Sequence, residues 1–205
     1  VREWSCSIET KDSYTHGHSG RVSEYAKHLA RAAGLDPRDE TWFEMGSLLH
    51  DVGKVVVPDA ILNKAGPLDA DEWVVMRSHP AEGERLLADV EFPWDVRPMI
   101  RHHHEAWDGT GYPDKLQGES IPWTARVLCV ADVFDALTTV RPYRAAYSLE
   151  RAVEIMDEMS GGTLDPELYR IFRQMLLDGR IPLPADHHQQ RQGADARPSR
   201  VRAGA

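Results

Sequence analysis

Thr41-Trp42-Phe43-Glu44-Met45-Gly46-Ser47-Leu48-Leu49-His50-Asp51-Val52-Gly53-Lys54 is the stretch on which the fold turns. Its apolar positions Trp42, Phe43, Met45, Leu48 and Leu49 recur at helical spacing and lead into His50-Asp51. Asp36-Pro37-Arg38-Asp39 opens this helix, and Gly53 and Pro58 break it. Adjacent helical residues project about 100° apart, so His50 and Asp51 can reach different parts of one site.

Working outward, helical periodicity returns and strand-type alternation is scarce. Upstream, Val22, Tyr25, Ala26, Leu29 and Ala33 predict an amphipathic helix over Arg21 to Ala33, with Ser19 as its cap and Gly34 as its end. Downstream, helices are predicted from Asp69 to Arg77, Pro80 to Ala88, Asp95 to His104, Ala125 to Thr138, Leu149 to Met159, and from Leu164-Asp165-Pro166 to Leu177. A Gly-rich loop spans Asp108 to Pro122. The expected fold is therefore all-α, a helical bundle with one irregular loop. Residues 1–11 are expected to be a connecting segment, 12–180 one domain, and 181–205 a disordered tail rich in Gln, Arg, Ala and Gly.

Seven of the ten histidines fall in groups with aspartates nearby: His16 and His18, His50-Asp51, His79, His102-His103-His104, and then Asp132; His28, His187 and His188 read as ordinary surface or core residues. Imidazole and carboxylate together suit iron, manganese or zinc. Cys6 and Cys129 are the only cysteines, which leaves no Cys-x-x-Cys zinc site and argues against a disulfide framework. Net charge is −9, and the residues from Leu183 onward carry +2 of their own, so the remainder carries −11. Such acidity argues against duplex nucleic acid as the main partner. It leaves room for a small phosphate ligand, because bound cations are absent from a count of side chains. No apolar run reaches the ~20 residues of a membrane-spanning helix. The opening Val1-Arg2-Glu3-Trp4 is neither a signal peptide nor an initiator methionine. The expectation is a cytoplasmic chain that continues from an upstream sensory or receiver domain.

His50-Asp51-Val52-Gly53-Lys54, followed by His103-His104-Glu105-Ala106-Trp107-Asp108-Gly109-Thr110-Gly111-Tyr112-Pro113, resembles the motif pair of the HD-GYP domain, a branch of the HD phosphohydrolase superfamily. His18-Ser19-Gly20-Arg21, Ser78-His79-Pro80, Val130 to Thr138, and Arg141-Pro142-Tyr143-Arg144 extend the resemblance, which runs from about Asp12 to Leu177. It implies an HD-type helical fold and hydrolysis of cyclic di-GMP to linear pGpG, and further to GMP in some members, by a hydroxide bridging two divalent ions, iron or manganese foremost. By resemblance, one ion belongs to His18, His50, Asp51 and Asp132. The other belongs to Asp51, His79, His103 and His104, with Asp51 shared between them.

Lys54 corresponds to a lysine that contacts the scissile phosphate. Arg141 and Arg144 resemble residues that bind the second phosphate or a guanine edge, and each could instead be a surface ion-pair partner. Gly111-Tyr112-Pro113 is either a tight turn or a loop that serves the active site and diguanylate cyclase domains. A third ion in some members uses a glutamate where this chain has Tyr14, so two ions are expected, with pGpG favoured over GMP. Hydrolysis of 3′,3′-cyclic GMP-AMP, a docking module without much catalysis, and a mixed-valence iron oxygenase are the alternative readings.

Overall fold

The computed structural model describes residue 11, residues 17–140 and residues 144–182. Nine α-helices form among them: α1 (His18–Ala32), α2 (Glu40–Leu49), α3 (Asp59–Leu62), α4 (Ala70–Met76), α5 (His79–Leu86), α6 (Arg97–His102), α7 (Trp123–Thr138), α8 (Leu149–Met159) and α9 (Pro166–Leu177). Two 3₁₀ turns, Val52–Val56 and Gly118–Ser120, interrupt the series. No strand forms among the described residues, and one isolated bridge joins Ser160 to Leu164.

The core is built on α7, which buries Ala125, Val127, Leu128, Val130, Ala131 and Phe134. It is apolar on most sides because α1, α6, α8 and α9 all pack on it. Phe134 makes edge-to-face contacts with Tyr25 of α1 and Phe172 of α9, each at 5.2 Å between ring centres. A smaller cluster of Leu49, Leu87, Val96 and Ile100 ties α2 to α6 and to the end of α5.

Two predicted helix starts differ in detail. Gly17, in a left-handed conformation at φ 71°, precedes α1, so His18 is its first residue and Ser19 is buried inside the first turn instead of capping it. Asp36 accepts a hydrogen bond from the Arg38 N–H at 2.8 Å, closing a local turn that delays α2 to Glu40. At the other end, Ile181 is 4% exposed and packs into the main core, so the domain extends at least that far. The predicted connecting segment, apart from Lys11, and the predicted tail beyond Pro182 lie outside the described residues.

Close helix approach decides the site. The 3₁₀ turn that follows His50-Asp51 packs flat against α5. A Cβ on Gly53 would stand 1.8 Å from the His79 carbonyl oxygen. Only glycine permits that approach, and it brings the end of α2 beside the start of α5.

Candidate metal centre

His50 caps α2, His103 caps α6, and His79 opens α5 just beyond α4. Each therefore lies beside the carbonyl groups that a helix terminus leaves without intrahelical partners. The three imidazoles use them identically. Nδ1 of His50 lies 2.7 Å from the Ser47 carbonyl, Nδ1 of His79 lies 2.8 Å from that of Met76, and Nδ1 of His103 lies 2.7 Å from that of Ile100. A carbonyl only accepts, so Nδ1 carries the proton and the Nε2 lone pair is left to face inward.

Those lone pairs converge on Asp51, which is 7% exposed. Its Oδ1 lies 3.3 Å from His79 Nε2 and 3.9 Å from His103 Nε2. Its Oδ2 lies 3.5 Å from His50 Nε2, 3.9 Å from His18 Nε2 and 2.7 Å from Lys54 Nζ. Each oxygen thus addresses a different pair of histidines. His18 Nε2 also faces Asp132 Oδ1 at 3.4 Å. One set of donor atoms from Asp51, His79, His103 and His104 falls within 4.8 Å of one another, and so does a second set from His18, His50 and Asp51.

This arrangement suits a metal cation. His50 is fully buried, and its Nε2 has no hydrogen-bond partner. Nε2 of His79 and Nε2 of His103 stand 3.4 Å apart, and with both protons on Nδ1 their lone pairs oppose each other. A buried polar atom without a partner costs about 1–3 kcal/mol, which a metal ion between the nitrogens would remove. Burial lowers the His50, His103 and His104 imidazoles below their ordinary range, His103 and His104 strongly, so they stay neutral as ligands must. For Asp51 burial alone would raise the carboxyl, but Lys54 and the surrounding imidazoles outweigh it and hold it well below the usual range.

Two supporting residues were not singled out by the sequence reading. Asp135, fully buried, lies 2.7 Å from His18 Nδ1 and accepts hydrogen bonds from Arg21 Nε at 2.7 Å and Nη2 at 3.1 Å. It orients His18, while Arg21 balances its charge. Its place three residues after Asp132, on the same helical face, was the available signal. Glu105, also buried, accepts from the backbone N–H of Asp114 at 2.7 Å and of Leu116 at 3.1 Å, anchoring the Gly-rich loop. A Cβ on Gly111 would stand 2.2 Å from the Ala106 nitrogen, so glycine lets that loop fold back on the helix end. Tyr112 then stacks on His104 at 4.9 Å between ring centres, and its peptide bond to Pro113 is cis. Burial, with the charges of Asp51 and Asp132, raises the Tyr112 phenol, which stays protonated.

Arg144 lies at the C-terminal end of α7. It donates to the carbonyls of Ala136 at 2.6 Å, Ala145 at 2.9 Å and Leu137 at 3.3 Å, closing the end of α7, and its guanidinium lies 4.1 Å from the Tyr147 ring centre. His102 hydrogen-bonds Asp114 at 3.0 Å, away from the cluster. Arg141, Tyr14 and His16 lie outside the described residues.

An all-helical bundle with a His/Asp cluster at its helix ends defines the class as HD-type. Residues 5–168 match the family model described as HD domain. The chain belongs to the HD domain family, and its His50-Asp51 and Gly111-Tyr112-Pro113 motifs are those of the HD-GYP branch. It is 42% identical over 168 residues to a cyclic di-GMP phosphodiesterase of Pseudomonas aeruginosa, covering 80% of this chain and 40% of that one. It is 39% identical over 169 residues to the 3′3′-cGAMP-specific phosphodiesterase 3 of Vibrio cholerae, covering 82% and 37%. The chain thus spans two fifths or less of the length of these curated relatives. In fold it is similar to the crystal structure of a cyclic GMP-AMP specific phosphodiesterase of V. cholerae, with TM-score 0.68, 20% identity, and coverage of 93% of this chain and 52% of that one. An HDG“Y”P protein of Bdellovibrio bacteriovorus gives TM-score 0.63 at 24% identity, covering 78% and 51%. No helix among the described residues is long and apolar enough to cross a membrane.

Proposed function

We propose that the chain is a metal-dependent phosphodiesterase that hydrolyses cyclic di-GMP to linear pGpG, with slower progress to GMP, in cytoplasmic second-messenger signalling. The observation that carries this reading is the division of Asp51, whose two oxygens face two separate groups of imidazole nitrogens. His18, His50, Asp51 and Asp132 would hold one ion, and Asp51, His79, His103 and His104 the other. Iron and manganese suit this mixture of neutral nitrogen and anionic oxygen donors. When bound, such ions supply Lewis acidity that activates water toward phosphorus and neutralises charge on the phosphoryl oxygens.

The chain's own residues do the rest. Lys54, 2.7 Å from Asp51, holds a compact cation at the rim of the cluster, where it can meet the scissile phosphate. Tyr112 keeps its proton and can donate it in a hydrogen bond beside His104. The carbonyls of Ser47, Met76 and Ile100 keep the ligand imidazoles in one tautomer throughout.

A second substrate, 3′3′-cGAMP, is favoured by the 39% identity to a phosphodiesterase specific for it. Anaerobically prepared protein, with its metals quantified, should turn over cyclic di-GMP faster than 3′3′-cGAMP, and the reverse order would exchange the two assignments. Asp51→Ala should abolish hydrolysis while leaving any docking of a diguanylate cyclase domain through the Tyr112 loop intact. Wild-type protein that binds a cyclase domain but cleaves neither dinucleotide would make this chain a docking module.

A further inference from the structure

Arg77 stands apart from the other arginines. Every other described arginine has a carboxylate or carbonyl partner; Arg101, for example, is held by Asp114 and Glu84, and Arg126 by Asp165. The Arg77 guanidinium has no hydrogen-bond or ion-pair partner among the described residues, although the chain is acidic and the side chain is exposed. It is nonetheless positioned. Arg77 caps α4 through its backbone N–H, which donates to the Trp73 carbonyl at 2.9 Å. Its guanidinium lies 5.4 Å from the Trp73 ring centre and 5.5 Å from that of Tyr112. The Tyr112 ring in turn stacks on His104, so one ring separates Arg77 from the metal cluster.

Helix α4 buries none of its residues, and Trp73 is 44% exposed, so this helix contributes little to the core and forms the rim of the site. Cation–π contacts hold the guanidinium by its charge and leave its N–H edge without a protein acceptor among the described residues. That edge matches two oxygens of one phosphate, and its planar fork is already oriented when the ligand arrives. Lys54 lies at the rim of the cluster directly against Asp51, whereas Arg77 lies beyond Tyr112, so the two cations address different positions. Arg144 directs Nη1 and Nη2 at backbone carbonyls of Leu137, Ala145 and Ala136.

We propose that Arg77 is a substrate-binding residue that contacts the phosphate not being cleaved, with Trp73 and Tyr112 as its stacking supports. The inference rests on the cyclic-dinucleotide reading, because only a substrate with two phosphates would engage Lys54 and Arg77 together.

Arg77→Met, which keeps the apolar stem, and Arg77→Lys, which keeps the charge, test it in manganese-loaded protein. Cyclic di-GMP and 3′3′-cGAMP are compared with bis(p-nitrophenyl) phosphate, which has a single phosphate. Loss of a bidentate charge-assisted contact should raise KM for cyclic dinucleotides about tenfold or more in Arg77→Met. The change in kcat should be the smaller part, and kcat/KM relative to bis(p-nitrophenyl) phosphate should fall by a similar factor. Arg77→Lys should recover part of the loss. The two dinucleotides should suffer equally, a non-substrate being followed by its inhibition constant.

Unchanged KM, or equal losses on all three substrates, would overturn the proposal. A loss confined to one dinucleotide would mark a base contact and overturn it as well. Wild-type protein that cleaves bis(p-nitrophenyl) phosphate but neither dinucleotide would remove the underlying reading and this inference with it, a result visible before any variant is made.

Discussion

Asp51 and Asp135 are both buried carboxylates, and their partners assign them different work. Asp51 faces nitrogen lone pairs and one ammonium, while Asp135 faces the protonated Nδ1 side of His18 and a guanidinium. Burial alone would raise Asp135, but the His18 and Arg21 hydrogen bonds keep it ionised. Asp135→Asn keeps the shape and removes the charge, so His18 becomes a weaker and less well-aimed donor. Metal affinity should fall about 10–100-fold, measured by graded chelation followed by metal analysis. Retention of both ions at wild-type affinity would remove Asp135 from the site. Cys129 belongs to the opposite category: burial pushes its thiol up to about 12, so it packs as an inert small side chain.

At the scale of elements, the 3₁₀ turn and the Gly-rich loop are both set by close approach. Gly53→Ala must push the turn away from α5, because the added carbon would overlap the His79 carbonyl oxygen. A destabilisation of about 3 kcal/mol is expected from such overpacking, read from urea unfolding, together with loss of bound metal. A variant with normal stability and metal content would mean that the turn is freer than its packing implies. The loop has a brace of a different kind. Arg101 joins Glu84 of α5 to Asp114 of the loop. Its hydrogen bond, aided by His102, holds the Asp114 carboxyl at about 2, against an ordinary 3.8. A depressed carboxyl contributes fully above its unfolded pKa and fades as pH falls through its folded value. Protection of the loop amides from hydrogen exchange should therefore weaken between about pH 4 and 2, ahead of the α7 amides, and Asp114→Asn should remove that dependence. The α7 amides weakening first would place the acid-labile part elsewhere.

For the molecule as a whole, the amphipathic helices could be read from periodicity because they carry one apolar face, and α8 falls on its predicted limits, Leu149 to Met159. The starts of α1 and α2 could not, because a left-handed glycine and an Asp36 turn settled them locally. The residues of the His/Asp cluster were legible as motifs, since the ligand chemistry demands those side chains. Asp135 and Glu105 were hidden, because a carboxylate's partner is a matter of folding and not of spacing. Arg144 shows the converse: its motif position was legible, and its engagement with the α7 carbonyls was not. Stability is expected to depend on the ions. If they occupy the cluster at 100–1,000 times their dissociation constants, chelation should cost about 3–4 kcal/mol of stability per site, seen as a lower Tm that restored manganese reverses. A Tm indifferent to chelation would mean that the cluster is fully formed without cations or never holds them.

The shared carboxylate also bears on how such a protein breathes. Asp51 sits just past the end of α2, with one oxygen facing His50 and the His18 of α1 and the other facing His79 of α5 and His103 at the end of α6. Filling one side fixes the rotation of the carboxylate and so finishes half of the neighbouring cage. Loading should be positively cooperative, and partly filled protein should be scarce at every stage of a titration. Scarcity of metal would then divide the population into filled and empty molecules instead of half-loading them all.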